Sequence, residues 1–120
     1  MRYFFDTYAI VEIIRKNENY REYSEEEIIT SVLNLGELYY SLLREKGKKE
    51  AEEWYKKLEQ TALLVSASMV KKAMEFKFKN RAKNLSFIDC VGYKLAEENG
   101  LLFLTGDKEF ENLENVEFVK

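Results

Sequence analysis

Apolar positions along this chain follow two rhythms. Short unbroken apolar runs stand at Arg2 to Phe5, Ala62 to Val65, Leu101 to Thr105 and Val116 to Val119, with a β-branched stretch at Glu27 to Thr30. Runs of this kind, without inside–outside alternation, predict strands buried on both faces. Between them the spacing becomes helical. Thr7 to Arg15 sets Ile10, Ile13 and Ile14 on one face. Ser31 opens a longer helix with Leu35, Leu38, Tyr39 and Leu42 in register, and Gly47 breaks it. Lys48 to Glu59 repeats the spacing with Ala51, Trp54, Tyr55 and Leu58. A helix capped by Ser66 or Ser68 carries Val70, Ala73, Met74 and Phe78 inward, and helix 86–99 stops at Asn99-Gly100. Asn17 to Tyr23 reads as a turn or short helix, and Lys108 to Phe110 as one helical turn.

Strand and helix in alternation predict an α/β domain, a parallel sheet covered by helices on both faces. Such a sheet sets its ligand site beyond the carboxyl ends of its strands. The chain has no proline, repeat or linker, so residues 1–120 are expected to form a single three-layer domain.

Composition narrows the chemistry. Charged residues make up 34% of the chain but the net charge is only −3, so nucleic-acid binding would need a local patch. There is no histidine, which removes Ser-His-Asp hydrolysis, His-ligated zinc and imidazole bases. The single cysteine, Cys90, excludes an internal disulfide and favours a reducing compartment. The start is too polar after Ile14 for a signal peptide and no run has membrane-spanning length, so a cytoplasmic protein with no membrane partner is expected.

Four acids border the apolar elements. Asp6 ends the first strand, Asp89 sits in the first turn of an apolar helix, and Asp107 follows the strand ending in Thr105-Gly106. Each has a local reading: a helix N-cap for Asp6, a capping box with Ser86 for Asp89, a turn residue for Asp107. Glu37 resists one. It is the only charge from Val32 to Tyr40 and lies too deep in its helix to cap it, so it reads as a buried glutamate, costly unless neutral; with Gly36 beside it, a close backbone approach or a bound cation is expected. Converging carboxylates repel unless a cation neutralises them, and an all-oxygen set suits Mg²⁺ or Mn²⁺, whose remaining ligands are typically water and phosphate oxygens.

In order and spacing, Phe5-Asp6-Thr7, Asn34-Leu35-Gly36-Glu37-Leu38, Leu85-Ser86-Phe87-Ile88-Asp89 and Leu104-Thr105-Gly106-Asp107-Lys108-Glu109-Phe110 resemble the PIN-domain family, particularly its VapC-like toxins. The resemblance spans essentially the whole chain. It implies a five-stranded parallel sheet between helices and a Mg²⁺- or Mn²⁺-dependent endoribonuclease. It implies Asp6 and Asp89 as direct metal ligands, Glu37 and Asp107 as direct or water-mediated ones, and Thr105 and Thr7 as residues that orient ligands or water; ordinary strand-end hydroxyls remain the alternative for both threonines. Two positions depart from the family pattern. Cys90 follows the third acid and Tyr8 stands two after the first, where small residues are common, and Tyr8 would narrow the site.

The segment holding Lys71, Lys72, Lys77, Lys79, Arg81 and Lys83 would grip RNA phosphates, with Arg81 and Lys83 nearest the acids; a solvated helix face is the plain alternative. Tyr39, Tyr40, Trp54 and Tyr55 lie on a helical hairpin of the kind that carries antitoxin and homodimer contacts in the family. The rival readings are a non-catalytic PIN-like protein- or RNA-binding module and an RNA-processing PIN nuclease without an antitoxin. A haloacid-dehalogenase-type phosphatase wants an Asp where Tyr8 stands, and a receiver domain wants paired acids and a lysine that the chain lacks.

Overall fold

A computed structural model describes residues 2–120. Five strands and five helices alternate: β1 Tyr3–Phe5, α1 Thr7–Ile14, β2 Thr30–Ser31, α2 Val32–Glu45, α3 Lys48–Leu58, β3 Ala62–Leu63, α4 Ala67–Lys79, α5 Phe87–Glu98, β4 Leu102–Thr105 and β5 Val116–Phe118. Single turns of tighter helix cover Glu18–Tyr20, Glu22–Glu25, Glu59–Thr61 and Lys108–Phe110. Helix starts follow the expected chemistry: Ser31, Ser66 and Ser86 each accept a backbone N–H of the first turn.

All strand pairs are parallel, but the continuous five-stranded sheet expected from the sequence does not form. β1, β4 and β5 make a three-stranded sheet in the order β1-β4-β5, and β2 pairs with β3 in a separate two-stranded one. One bridge, Phe4 opposite Ile29, joins them, and Phe5 N–H donates to the Ile29 carbonyl at 2.8 Å. The seam breaks for a local reason. The Thr30 hydroxyl donates to the Phe5 carbonyl at 2.8 Å, replacing a ladder bond, and Ser31 already turns the chain into α2.

Both faces of this array are covered. Phe4 and Phe103 point to a core shared with α4 and α5, through Met69, Ala73, Val91 and Leu95. Tyr3, Phe5 and Leu104 point the other way, onto Ile10, Leu35, Leu38 and Leu58 of α1 to α3. That two-sided burial is why the strands read as unbroken apolar runs. Each fully buried Phe contributes roughly 1.5–3 kcal/mol relative to exposure. At the edge the pattern relaxes. β3 is half-buried and Leu64 beyond it is 82% exposed, against the expectation of a buried strand through Val65. Phe78 was expected on the inner face of α4 and lies outside. Among the described residues no helix is long and apolar enough to cross a membrane.

β1 lies between the bridge to β2 on one side and β4 on the other, so the chain's connections diverge there. That divergence opens a crevice above the ends of β1 and β4. Gly106 follows β4 at this point, and a Cβ on it would overlap both the Tyr8 ring and the Val119 carbonyl oxygen. Gly106→Ala is therefore expected to lower stability by about 1–3 kcal/mol in urea unfolding, the cost of forcing an added methyl into packed structure.

Candidate functional site

Asp6 is the fixed point of the crevice. It caps α1, its Oδ1 accepting Thr7 N–H at 2.9 Å, while Oδ2 accepts the Thr105 hydroxyl at 2.7 Å. Its own N–H donates to the Leu104 carbonyl at 3.0 Å. The residue is only 4% exposed. Burial, then the nearby charges of Asp89 and Glu37, push its carboxyl up to about 7, against the pull of its two hydrogen bonds.

Thr105 links a second acid to the first: its oxygen accepts Asp107 N–H at 3.1 Å. Asp107 caps the following turn, accepting Glu109 N–H at 3.0 Å through Oδ1. Asp89 forms the full capping box with Ser86, its Oδ2 accepting Ser86 N–H at 3.0 Å and its own N–H donating to the Ser86 hydroxyl at 3.1 Å. Burial raises the Asp89 carboxyl and the Asp107 charge adds to it; the Ser86 bonds and the Lys77 ammonium act the other way. The local capping readings of all three aspartates thus hold. They also hold the carboxylates in place, because a capping oxygen fixes the side chain that carries the second oxygen.

Asp6, Glu37, Asp89 and Asp107 line one cleft of about 360 Å³. The sequence expectation is corrected for Glu37 in one respect: it is exposed on the rim rather than buried, because the α2 residues that face the core are Leu35, Leu38 and Leu42. Gly36 allows no close backbone approach either, since a Cβ there would meet nothing within 4 Å. Tyr8 does enter the cleft, its ring packed against Gly106. Thr7 is buried behind it and receives a 3.0 Å bond from the Asn34 amide.

Two groups in this region escaped the sequence reading. Asn34 is wholly buried and bonded at both ends, to Thr7 and to the Ser31 hydroxyl at 2.6 Å. A polar residue one turn into an apolar helix start was its signal. Arg15 brings a cation to the cleft wall, paired with Glu12 at 3.3 Å and Glu45 at 3.4 Å. Arg81 and Lys83 do not line the cleft; the lysine whose charge acts on Asp89 is Lys77, which donates to the Leu85 carbonyl.

Donor chemistry was tested against a bound metal. Histidine is absent, and Cys90 is buried in the core, so the cleft offers carboxylate and hydroxyl oxygens. Among the described residues no three acidic or thiol side chains converge as a ready-made cage. Mg²⁺ needs none, being held by one or two carboxylates with several retained waters. A buried aspartate whose carboxyl is raised by neighbouring acids is short of positive charge. A hard divalent cation fits that deficit.

Comparison with known proteins places the chain. The PIN domain profile matches residues 3–116, and the chain belongs to that family. No curated protein matches the sequence significantly. Among solved structures it is similar to VapC20 of Mycobacterium tuberculosis, a sarcin–ricin loop cleaving toxin, with 20% identity, TM-score 0.79 and 98% of each chain covered. A toxin–antitoxin complex from Klebsiella pneumoniae matches at 13% identity and TM-score 0.78, covering 96% of this chain and 95% of that one. DNA-bound VapBC from Salmonella typhimurium matches at 19% identity and TM-score 0.73, covering 98% and 96%. At such identities the likeness is one of fold.

The raised carboxyl gives a pH signature. Asp6 titrates near 7 when folded and near its ordinary 3.8 when unfolded, so the folded state binds more protons between these values. Stability therefore falls as pH rises through that window, and Asp89 adds in the same direction. In EDTA the melting temperature is expected to drop between about pH 4 and about pH 7 and to level off above, and Asp6→Asn to flatten much of the drop.

Proposed function

We propose that residues 1–120 form one domain that hydrolyses RNA phosphodiester bonds as a Mg²⁺- or Mn²⁺-dependent endoribonuclease, the cytoplasmic toxin of a VapBC-type pair. One observation carries the reading: four carboxylates from the β1 end, α2, α5 and the β4 end line a single cleft, the innermost raised by burial and by the charges of its acidic neighbours. Solved structures of similar fold bear the names of toxins and VapBC complexes, which supports the choice within the family.

In this reading Asp6 and Asp89 hold the metal directly, and Glu37 and Asp107 hold it directly or through water. When bound, the ion lowers the pKa of a coordinated water and polarises the scissile phosphate. The chain's own residues set the stage. Thr105 fixes one oxygen of Asp6 and the backbone of Asp107, so the two acids keep their separation. Thr7, backed by Asn34 and Ser31, keeps the start of α1 from turning away. Arg81 and Lys83 bind the RNA outside the cleft. The partners are RNA, a cognate antitoxin and a second copy of the chain. A non-catalytic protein- or RNA-binding module is the second reading.

Cleavage of a structured-RNA panel with Mg²⁺, Mn²⁺ or EDTA separates the two readings. The parent is expected to cut only with metal. Asp89→Asn is expected to cost more than the roughly 10- to 100-fold typical of losing a residue that merely supports a metal ligand. Equal activity of parent and variant would mean a contaminating nuclease. An inactive parent that metal fails to stabilise against melting would leave the binding module.

A further inference from the structure

The connection between α4 and α5 carries an arrangement that the acidic cleft does not use. Phe78, in the last turn of α4, is 66% exposed. The Arg81 guanidinium lies 4.3 Å from its ring centroid, and Arg81 Nη1 donates to the Phe78 carbonyl at 2.9 Å. Ring and guanidinium are therefore held together as one aromatic and cationic patch open to solvent. Packing within the chain does not explain it, because Met69 and Ala73 supply the buried face of α4.

Charge around this pair departs from the rest of the molecule. Residues 71–83 hold six cations and one acid, Glu75, in a chain whose net charge is −3. Lys72 is engaged with Glu98 at 3.2 Å and Lys77 with the Leu85 carbonyl. Lys79, Arg81 and Lys83 form no ion pair among the described residues. A phosphate backbone is the complement of such a stretch, and an exposed ring with a stacked guanidinium is the complement of a nucleobase.

The connection also leads to the acids. Lys77 holds the carbonyl just before the Ser86 cap, and Asn84 N–H donates at 2.9 Å to Glu109, two residues after Asp107. Phe87, two residues before Asp89, is a further exposed ring at 39%. Resting on the ribonuclease reading above, we propose that Phe78 and Arg81 form a stacking platform for an unpaired base of the RNA substrate. Lys79 and Lys83 meet the adjoining phosphates. The substrate class this selects is a single strand or an open loop, because bases within a duplex offer no free face to stack on.

Steady-state cleavage with Mg²⁺ by the parent, Phe78→Leu, Phe78→Tyr and Arg81→Ala tests this. Phe78→Leu keeps an apolar side chain but no ring; it is expected to raise KM for single-stranded RNA about tenfold with kcat within about twofold. Phe78→Tyr should return KM to the parental value, and Arg81→Ala should behave like Phe78→Leu. Cleavage by the parent with parental KM in Phe78→Leu would overturn the platform and leave the nuclease standing. The same holds if that variant changes only oligomeric state, which would make the face a contact between copies. A fall in kcat at constant KM would also overturn it, since the effect would then run through the shape of the cleft. A parent that cuts nothing overturns the ribonuclease reading and the platform with it.

Discussion

A carboxylate buried where two parallel strands end is the constraint around which the rest of this molecule is arranged. Asp6 must stay solvated by something other than water, and the fold supplies the Thr7 amide and the Thr105 hydroxyl. Thr105 reaches it only because β4 lies beside β1 in register, Phe5 opposite Leu104. Thr7 is in place because α1 begins at once after the strand, and its hydroxyl is in turn held by Asn34. The polar chain Thr105–Asp6–Thr7–Asn34–Ser31 thus crosses from β4 to α2, with every buried side-chain donor and acceptor among the described residues satisfied. Satisfying the hydrogen bonds does not satisfy the charge. Burial, then the charges of Asp89 and Glu37, make the charged form of Asp6 costly, a cost that a bound cation would relieve.

The local and the functional readings of the aspartates are the same arrangement seen at two scales. A capping carboxylate lies at a helix start because the unpaired amides there need an acceptor. Helix starts in a parallel α/β array gather above the strand ends, so capping acids gather too. Asp6 caps α1, Asp89 belongs to the capping box of α5 and Asp107 caps the turn after β4. Capping alone is enough to hold each acid, and topology alone is enough to bring them together. Their mutual repulsion is the residue that neither explains.

The fold was legible where the periodicity was strong. Helices α2 and α5 begin at the serines the sequence offered, and the two-sided burial of β1 and β4 follows from unbroken apolar runs. The sheet was less so. Whether β2 joins β1 by a ladder or by one bridge depends on the Thr30 side chain taking the Phe5 carbonyl, a choice no pattern of polarity records. At the site, the four acids that residue type singled out line one cleft, but burial was misjudged for Glu37. A lone charge in an apolar run looks buried, yet the helical period turns that one position to the rim. Arg15 was hidden for the opposite reason: a charged residue at a helix end looks ordinary until its neighbours are known.

Charge is divided in this molecule in a way that suits a polyanion cut by an acidic centre. A cleft lined by four carboxylates repels phosphates, so affinity for an RNA strand has to come from outside it. The cations near the cleft are mostly committed: Arg15 to Glu12 and Glu45, Lys77 to the Leu85 carbonyl. Lys79, Arg81 and Lys83 form no ion pair among the described residues and follow one another from the end of α4 into the connection to α5, where the surface also offers an aromatic face. On the proposed reading, repulsion at the centre and attraction outside it would keep a strand off the acids until a divalent cation offsets part of the negative charge of the cleft. Separated in this way, binding and chemistry would depend on different residues, and the metal would be the condition for a bound strand to approach the acids at all.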